Sequence, residues 1–235
     1  MANSRILNKI KEILFPHYSC VICGRETKDG KLCDECKEYQ IMPKFCERCG
    51  EHVGEHDKLC LECAETKWHF DKSVSVFDYN ATTASSILAM KYKEKRYLSK
   101  DFARLLKQRY EAAGFDADVV CCVPSSPKRL KERGYNHAKD LAEEFCKIID
   151  LPYAELLDKI KETEHQTELS RDERKKNLTD AFVCTDKTIK GKKVLIIDDV
   201  FTTGSTLDAC AKALKKCKPE KIYCLTIAKT LLNKA

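Results

Sequence analysis

The chain has 235 residues, 43% hydrophobic and 34% charged, with 43 Lys and Arg against 37 Asp and Glu for a formal net charge of +6. That apolar share excludes global disorder, and the length fits one large domain, or a medium one with a small satellite. No apolar run approaches the ~20 residues that span a bilayer, and no cationic start leads into an apolar core with a small-residue cleavage site, so the sequence reads as cytoplasmic.

Ile6, Leu7, Ile10, Ile13 and Leu14 share one helical face. That face is expected to dock onto the protein itself, with a membrane surface as the alternative. The 44 residues from Cys20 to Cys63 hold eight of the 15 cysteines in four equally spaced pairs: Cys20/Cys23, Cys33/Cys36, Cys46/Cys49 and Cys60/Cys63. The first and third pairs are each followed by glycine (Gly24, Gly50), which makes an internal repeat. C-x2-C puts two thiolates on one tight turn, and two such turns complete the tetrahedral four-thiolate shell of structural zinc. Disulfides suit this context less well, and the regular repeat suits zinc turns better than an iron–sulfur cluster. The repeat favours sequential sharing, Cys20, Cys23, Cys33 and Cys36 for one ion and Cys46, Cys49, Cys60 and Cys63 for the other; an interleaved sharing satisfies the same spacing. The sequence between the pairs is polar, so the metal is expected to supply the folding free energy. The other seven, Cys121, Cys122, Cys146, Cys184, Cys210, Cys217 and Cys224, form no such pair, and most lie in apolar runs as expected core thiols.

Charge shifts with composition. Residues 1–70 carry 11 basic and 12 acidic side chains, and residues 71–235 carry 32 and 25. A domain boundary is therefore expected near Trp68 to Ser73. Beyond it the hydrophobic period alternates. The spacing predicts a buried strand over 118–123, ended by Pro124, and a helix over 137–149 with Asn136 as N-cap. A second buried strand follows over 194–197, then a helix over 203–216 and a strand over 221–227. Strand–helix–strand order argues for an α/β fold with a parallel sheet flanked by helices, in which ligands bind beyond the carboxyl ends of the strands.

After Val194–Ile197 come Asp198 and Asp199, then Val200, Phe201, Thr202, Thr203, Gly204, Ser205 and Thr206 at the start of a helix. A loop of small hydroxyl residues around a glycine can turn its amides toward an anion, and the helix dipole adds to this. The two carboxylates repel a phosphate and suit vicinal hydroxyls or a divalent cation. Together they read as a holder for a ribose 5-phosphate.

The segment 194–206 (VLIIDDVFTTGST) closely resembles the phosphoribosyl pyrophosphate (PRPP) motif of type I phosphoribosyltransferases. Joined to the cysteine-rich head, a double zinc ribbon, it resembles the competence protein F (ComF/ComFC) family. Residues 124–138 are similar to that family's VP…R…RGFNQA stretch, with His137 where glutamine is usual. The segment from Thr163 through Gln166, Arg174, Asn177 and Phe182 is similar to its flexible catalytic loop, with Lys159 and Lys161 where an arginine often precedes the threonine. The resemblance implies two structural Zn²⁺, Mg²⁺ with PRPP, and transfer of a phosphoribosyl group with release of pyrophosphate. Asp198 and Asp199 would hold the ribose, and Thr202, Thr203, Gly204, Ser205 and Thr206 the 5-phosphate. Arg133, Gly134, Tyr135 and Asn136, with Lys91, would meet the pyrophosphate. It also implies a part in natural transformation, with single-stranded DNA and a helicase-like partner at the inner face of the membrane. Two readings of another class stay open: a PRPP sensor without turnover, and a DNA-handling adaptor.

Overall fold

The computed structural model describes residues 19–27, 32–41, 45–54, 56–91, 95–161, 178 and 180–231. The cysteine-rich segment contributes two short helices, α1 (Asp34–Lys37) and α2 (Leu61–Glu65). Then follow β1 (Lys72–Asp78), α3 (Ala81–Met90), α4 (Leu98–Ala112), β2 (Val119–Cys122), α5 (Pro127–Arg133), α6 (His137–Ile149), β3 (Leu157–Lys159), β4 (Phe182–Cys184), β5 (Lys193–Phe201), α7 (Ser205–Lys215) and β6 (Lys221–Lys229). Four strands form a parallel sheet in the order β1-β6-β5-β2, while β3 and β4 pair antiparallel. The α/β expectation holds.

Alternation along the strands builds two cores, because both faces of a parallel sheet are buried. In β5, Leu195 and Ile197 join one cluster with Phe102 and Leu106 of α4 and Leu141 and Phe145 of α6. Val194 and Ile196 join the other, with Leu207, Cys210, Ala211 and Leu214 of α7. All four of these α7 residues are at most 1% exposed. The sequence pattern ended the central strand at Ile197, but the ladder continues through Asp198↔Thr226 to Phe201↔Lys229. Asp198 and Asp199 are therefore strand residues, held by the sheet rather than by a loop.

The cysteine-rich segment straddles the β1 edge. Gln40 bridges Phe77 antiparallel, Ile41 N–H donates to Val76 O at 2.9 Å, and Asp78 N–H donates to Tyr39 O at 2.9 Å. The first half packs Val21, Ile22 and Cys36 into the α4/α6 core. The second half packs Cys46, Cys49, Cys60 and Cys63, with Trp68 and Phe70, into the α7 core. The segment reads as too polar for a packed core, yet its few apolar residues are buried against the sheet. A second correction concerns two cysteines read as core thiols. Cys184 of β4 and Cys217, just past α7, form a disulfide, because α7 lies across the β3–β4 hairpin. The other five, Cys121, Cys122, Cys146, Cys210 and Cys224, are buried free thiols.

Candidate functional site

The four cysteine pairs converge as two groups, Cys20/Cys23/Cys33/Cys36 and Cys46/Cys49/Cys60/Cys63, in the sequential sharing. The two knuckles repeat in detail. Cys20 N–H donates to Arg25 O and Gly24 N–H to Cys20 O; Cys46 N–H donates to Glu51 O and Gly50 N–H to Cys46 O. Cys33 and Cys60 sit at the N-caps of α1 and α2. The Sγ atoms of Cys23 and Cys33 are 3.6 Å apart, as are those of Cys49 and Cys60. Thiolates at ~2.3 Å from a tetrahedral ion stand about 3.8 Å apart, so both groups fit structural zinc, with every position of the shell taken by sulfur.

A cavity of about 370 Å³ lies at the carboxyl ends of β2 and β5. Asp198 and Asp199 form its floor, 9% and 7% exposed. Burial and the adjacent charge of Asp199 push the Asp198 carboxyl well above the usual carboxylate range. Burial acts on Asp199 in the same direction, but the Lys91 ammonium and His137 outweigh it and hold Asp199 low. Lys91, the C-cap of α3, pairs with Asp199 Oδ2, and His137 Nε2 lies 3.3 Å from the same oxygen. Arg129 and Arg133 of α5 line the opposite wall. Among the described residues, neither has an ion-pair partner. α5 stands there because Pro127 opens it, the Ser126 hydroxyl caps it, and Gly134 closes it in the left-handed conformation.

Thr202 and Thr206 close the third side of the cavity. Between them Thr203 Oγ1 and Ser205 Oγ lie 2.9 Å apart. Gly204 is the N-cap of α7 with φ +73°, and no side chain caps that helix. A Cβ on Gly204 would lie 2.5 Å from Phe201 Cζ and 3.0 Å from Trp68 Cη2. Glycine is required there twice over, by backbone and by packing. The uncapped helix start and flanking hydroxyls suit an anion.

Of the residues singled out from sequence, Lys91, Arg133, Asn136, Asp198, Asp199, Thr202 and Thr206 meet in this one cavity. Asn136 is already engaged: its Oδ1 accepts from Ala138 N–H at 3.1 Å and its Nδ2 donates to Val123 O at 3.0 Å. Tyr135 turns away, its hydroxyl donating to Met90 O and its ring stacked under Arg96 at 4.5 Å. Gln166, Arg174 and Asn177 lie outside the described residues.

The phosphoribosyl transferase domain model matches residues 90–232, more than half of the chain. The chain belongs to that family. The double zinc ribbon domain model matches residues 10–64. The chain is 27% identical to competence protein F of Haemophilus influenzae over 225 residues, covering 92% of this chain and 98% of that one. It is 26% identical to the DNA utilization protein YhgH of Salmonella typhi, covering 83% and 89%. It is also 26% identical to competence protein ComFC of Streptococcus pneumoniae, covering 84% and 93%. The resemblance to the competence protein F family thus runs along nearly the whole chain.

Sequence reasoning did not assign His137 a role in the transferase cleft. Its place at the first turn of α6, directly after the Asn136 cap, was the available signal: a residue there faces the carboxyl ends of the strands. Nor did it find the ion pair between Lys229 Nζ and Glu51 Oε2, 3.4 Å apart with both side chains 4% exposed, which joins β6 to the second cysteine group.

Proposed function

We propose that this chain binds PRPP in the cleft and transfers its phosphoribosyl group to a nitrogen nucleophile, releasing pyrophosphate, in the service of DNA uptake. The observation that carries the reading is the meeting, in one cavity, of a buried acidic pair, a hydroxyl-rich helix start, and two arginines without carboxylate partners among the described residues. Each part suits a different part of one ligand. Thr202 and Thr206, with the first amides of α7, would hold the 5-phosphate. Asp198 and Asp199 would accept hydrogen bonds from the two ribose hydroxyls. Arg129 and Arg133, with Lys91, would neutralise the leaving pyrophosphate as the bond to C1 breaks. The nucleophile would enter on the opposite face with inversion, so the work of the protein is positioning and fixed charge. Mg²⁺, when bound with PRPP, would neutralise part of the pyrophosphate charge.

The names of the relatives bring the cellular setting: competence and DNA utilization. Single-stranded DNA and a helicase-like protein are the partners we propose, at the cytoplasmic face of the membrane; no helix among the described residues is long and apolar enough to cross one. Calorimetry with PRPP and Mg²⁺ tests the reading. Binding is expected for the native chain and is expected to vanish in Asp198→Asn/Asp199→Asn. Absence of binding by the native chain, or undiminished binding by the variant, would overturn it.

A further inference from the structure

His137 opens α6 beside the acidic pair. One ligand atom from each of His137, Asp198 and Asp199 falls within 4.8 Å of the others. Ligands held at ~2.1 Å from one ion, at the 90–110° angles of octahedral or tetrahedral shells, stand roughly 3.0–3.4 Å apart. The 3.3 Å between His137 Nε2 and Asp199 Oδ2 is the separation of adjacent ligands. His137 Nδ1 is buried and makes no hydrogen bond among the described residues, so the imidazole's polar contact there is with this carboxylate, through Nε2.

Charge balance points the same way. Two buried carboxylates adjoin, and Lys91 is the single lysine or arginine at ion-pair distance from either among the described residues. Lys91 serves Asp199; among the described residues Asp198 Oδ1 takes a backbone amide, that of Asp199. A divalent cation between them would satisfy both, with Lys91, 24% exposed, lining the same cavity.

The donor set then decides which cation. Mg²⁺ takes oxygen ligands and keeps its waters, whereas an imidazole nitrogen favours first-row transition ions. We propose that His137, Asp198 and Asp199 form a divalent-cation site whose imidazole nitrogen selects a first-row transition ion such as Mn²⁺ over Mg²⁺. This goes beyond the PRPP reading, and its test contains no PRPP, so the two fail separately.

The test uses the full-length, zinc-loaded chain titrated with Mn²⁺ and followed by electron paramagnetic resonance. Mn²⁺ is the chosen probe because it binds more weakly than Zn²⁺ and leaves the thiolate sites alone. One equivalent is expected to bind about tenfold or more tightly than Mg²⁺ in competition, with ¹⁴N modulation of the electron spin echo from a coordinated imidazole. His137→Gln is expected to lose the modulation and about tenfold in Mn²⁺ affinity, with Mg²⁺ affinity within about twofold of native. Zinc content and unfolding temperature report its integrity, and His137→Asn takes its place if it does not fold. No Mn²⁺ binding below millimolar concentration, equal affinity for the two ions, or nitrogen modulation that survives in the variant would each overturn the assignment.

Discussion

Lys229, the last residue of β6, and Glu51, in the turn of the second cysteine knuckle, form an ion pair closed off from solvent at 3.4 Å. The Lys229 ammonium also lies 3.9 Å from the centroid of the Phe201 ring, and Phe201 in turn packs against Gly204 of the hydroxyl-rich loop. The pair thus ties the zinc ribbon to the strand end that carries the loop. Removing one member leaves the other buried without this counter-charge, at a cost of roughly 3 kcal/mol or more. Lys229→Met and Glu51→Gln are each expected to lower the urea midpoint strongly, and the double variant to recover much of the loss. Additive losses in a double-mutant cycle would show that the two residues act independently.

That contact shows where sequence reasoning stops. The zinc ligands were legible because C-x2-C chemistry is local, and α6 because its apolar spacing and Asn136 cap are local too. The acidic pair and hydroxyl loop were legible because a strand, a carboxylate pair and a helix start follow one another directly. Glu51–Lys229 and Cys184–Cys217 were not, since each joins residues far apart in sequence and depends on which face of the sheet each element covers. The burial of Val21, Ile22, Trp68 and Phe70 was hidden for the same reason: a short apolar group in a polar stretch reads as insufficient until the sheet it packs on is known.

Gly204→Ala should separate backbone strain from packing. Gly24 has φ +75° with nothing within 4 Å of a Cβ, while Gly204 has φ +73° with Phe201 Cζ at 2.5 Å. Gly24→Ala is expected to cost about 1 kcal/mol, the left-handed backbone penalty alone. Gly204→Ala is expected to cost clearly more in urea unfolding and to weaken PRPP binding about tenfold or more, because the α7 start must shift. Equal costs for the two variants would show that Phe201 yields without disturbing the loop.

Buried thiols give the chain an alkaline limit. Burial pushes Cys122 and Cys146 up to about 12 from the ordinary value of 9.0, and raises Cys121, Cys210 and Cys224 well above it. Between those values the unfolded chain binds fewer protons than the folded one, so stability falls as pH rises. Stability is expected to be level in this respect below about pH 9 and to decline above it, measured by urea midpoints. Each of the five thiols is expected to resist iodoacetamide at pH 8 until the chain is unfolded. Rapid native alkylation at any of them, located by peptide mass mapping, would contradict its burial.

Trp68 is the chain's one tryptophan, and it reports on the second zinc ribbon site. Its ring is 7% exposed, stacks on Phe70 at 5.1 Å between centroids, and shares a core with Cys46, Cys49, Cys60 and Cys63. The first site packs on the opposite face, with Val21 and Ile22. Structural zinc holds its own thiolate knuckles together, so its loss first opens the core that those knuckles pack into. Cys46→Ser/Cys63→Ser should therefore bind one zinc per chain and open the core around Trp68, moving its fluorescence to the red. Cys20→Ser/Cys36→Ser should also bind one zinc yet leave Trp68 emission close to native, because the sheet lies between that site and the indole. Emission unchanged in the first variant, or shifted equally in both, would refute the assignment of the two ribbon sites to opposite faces.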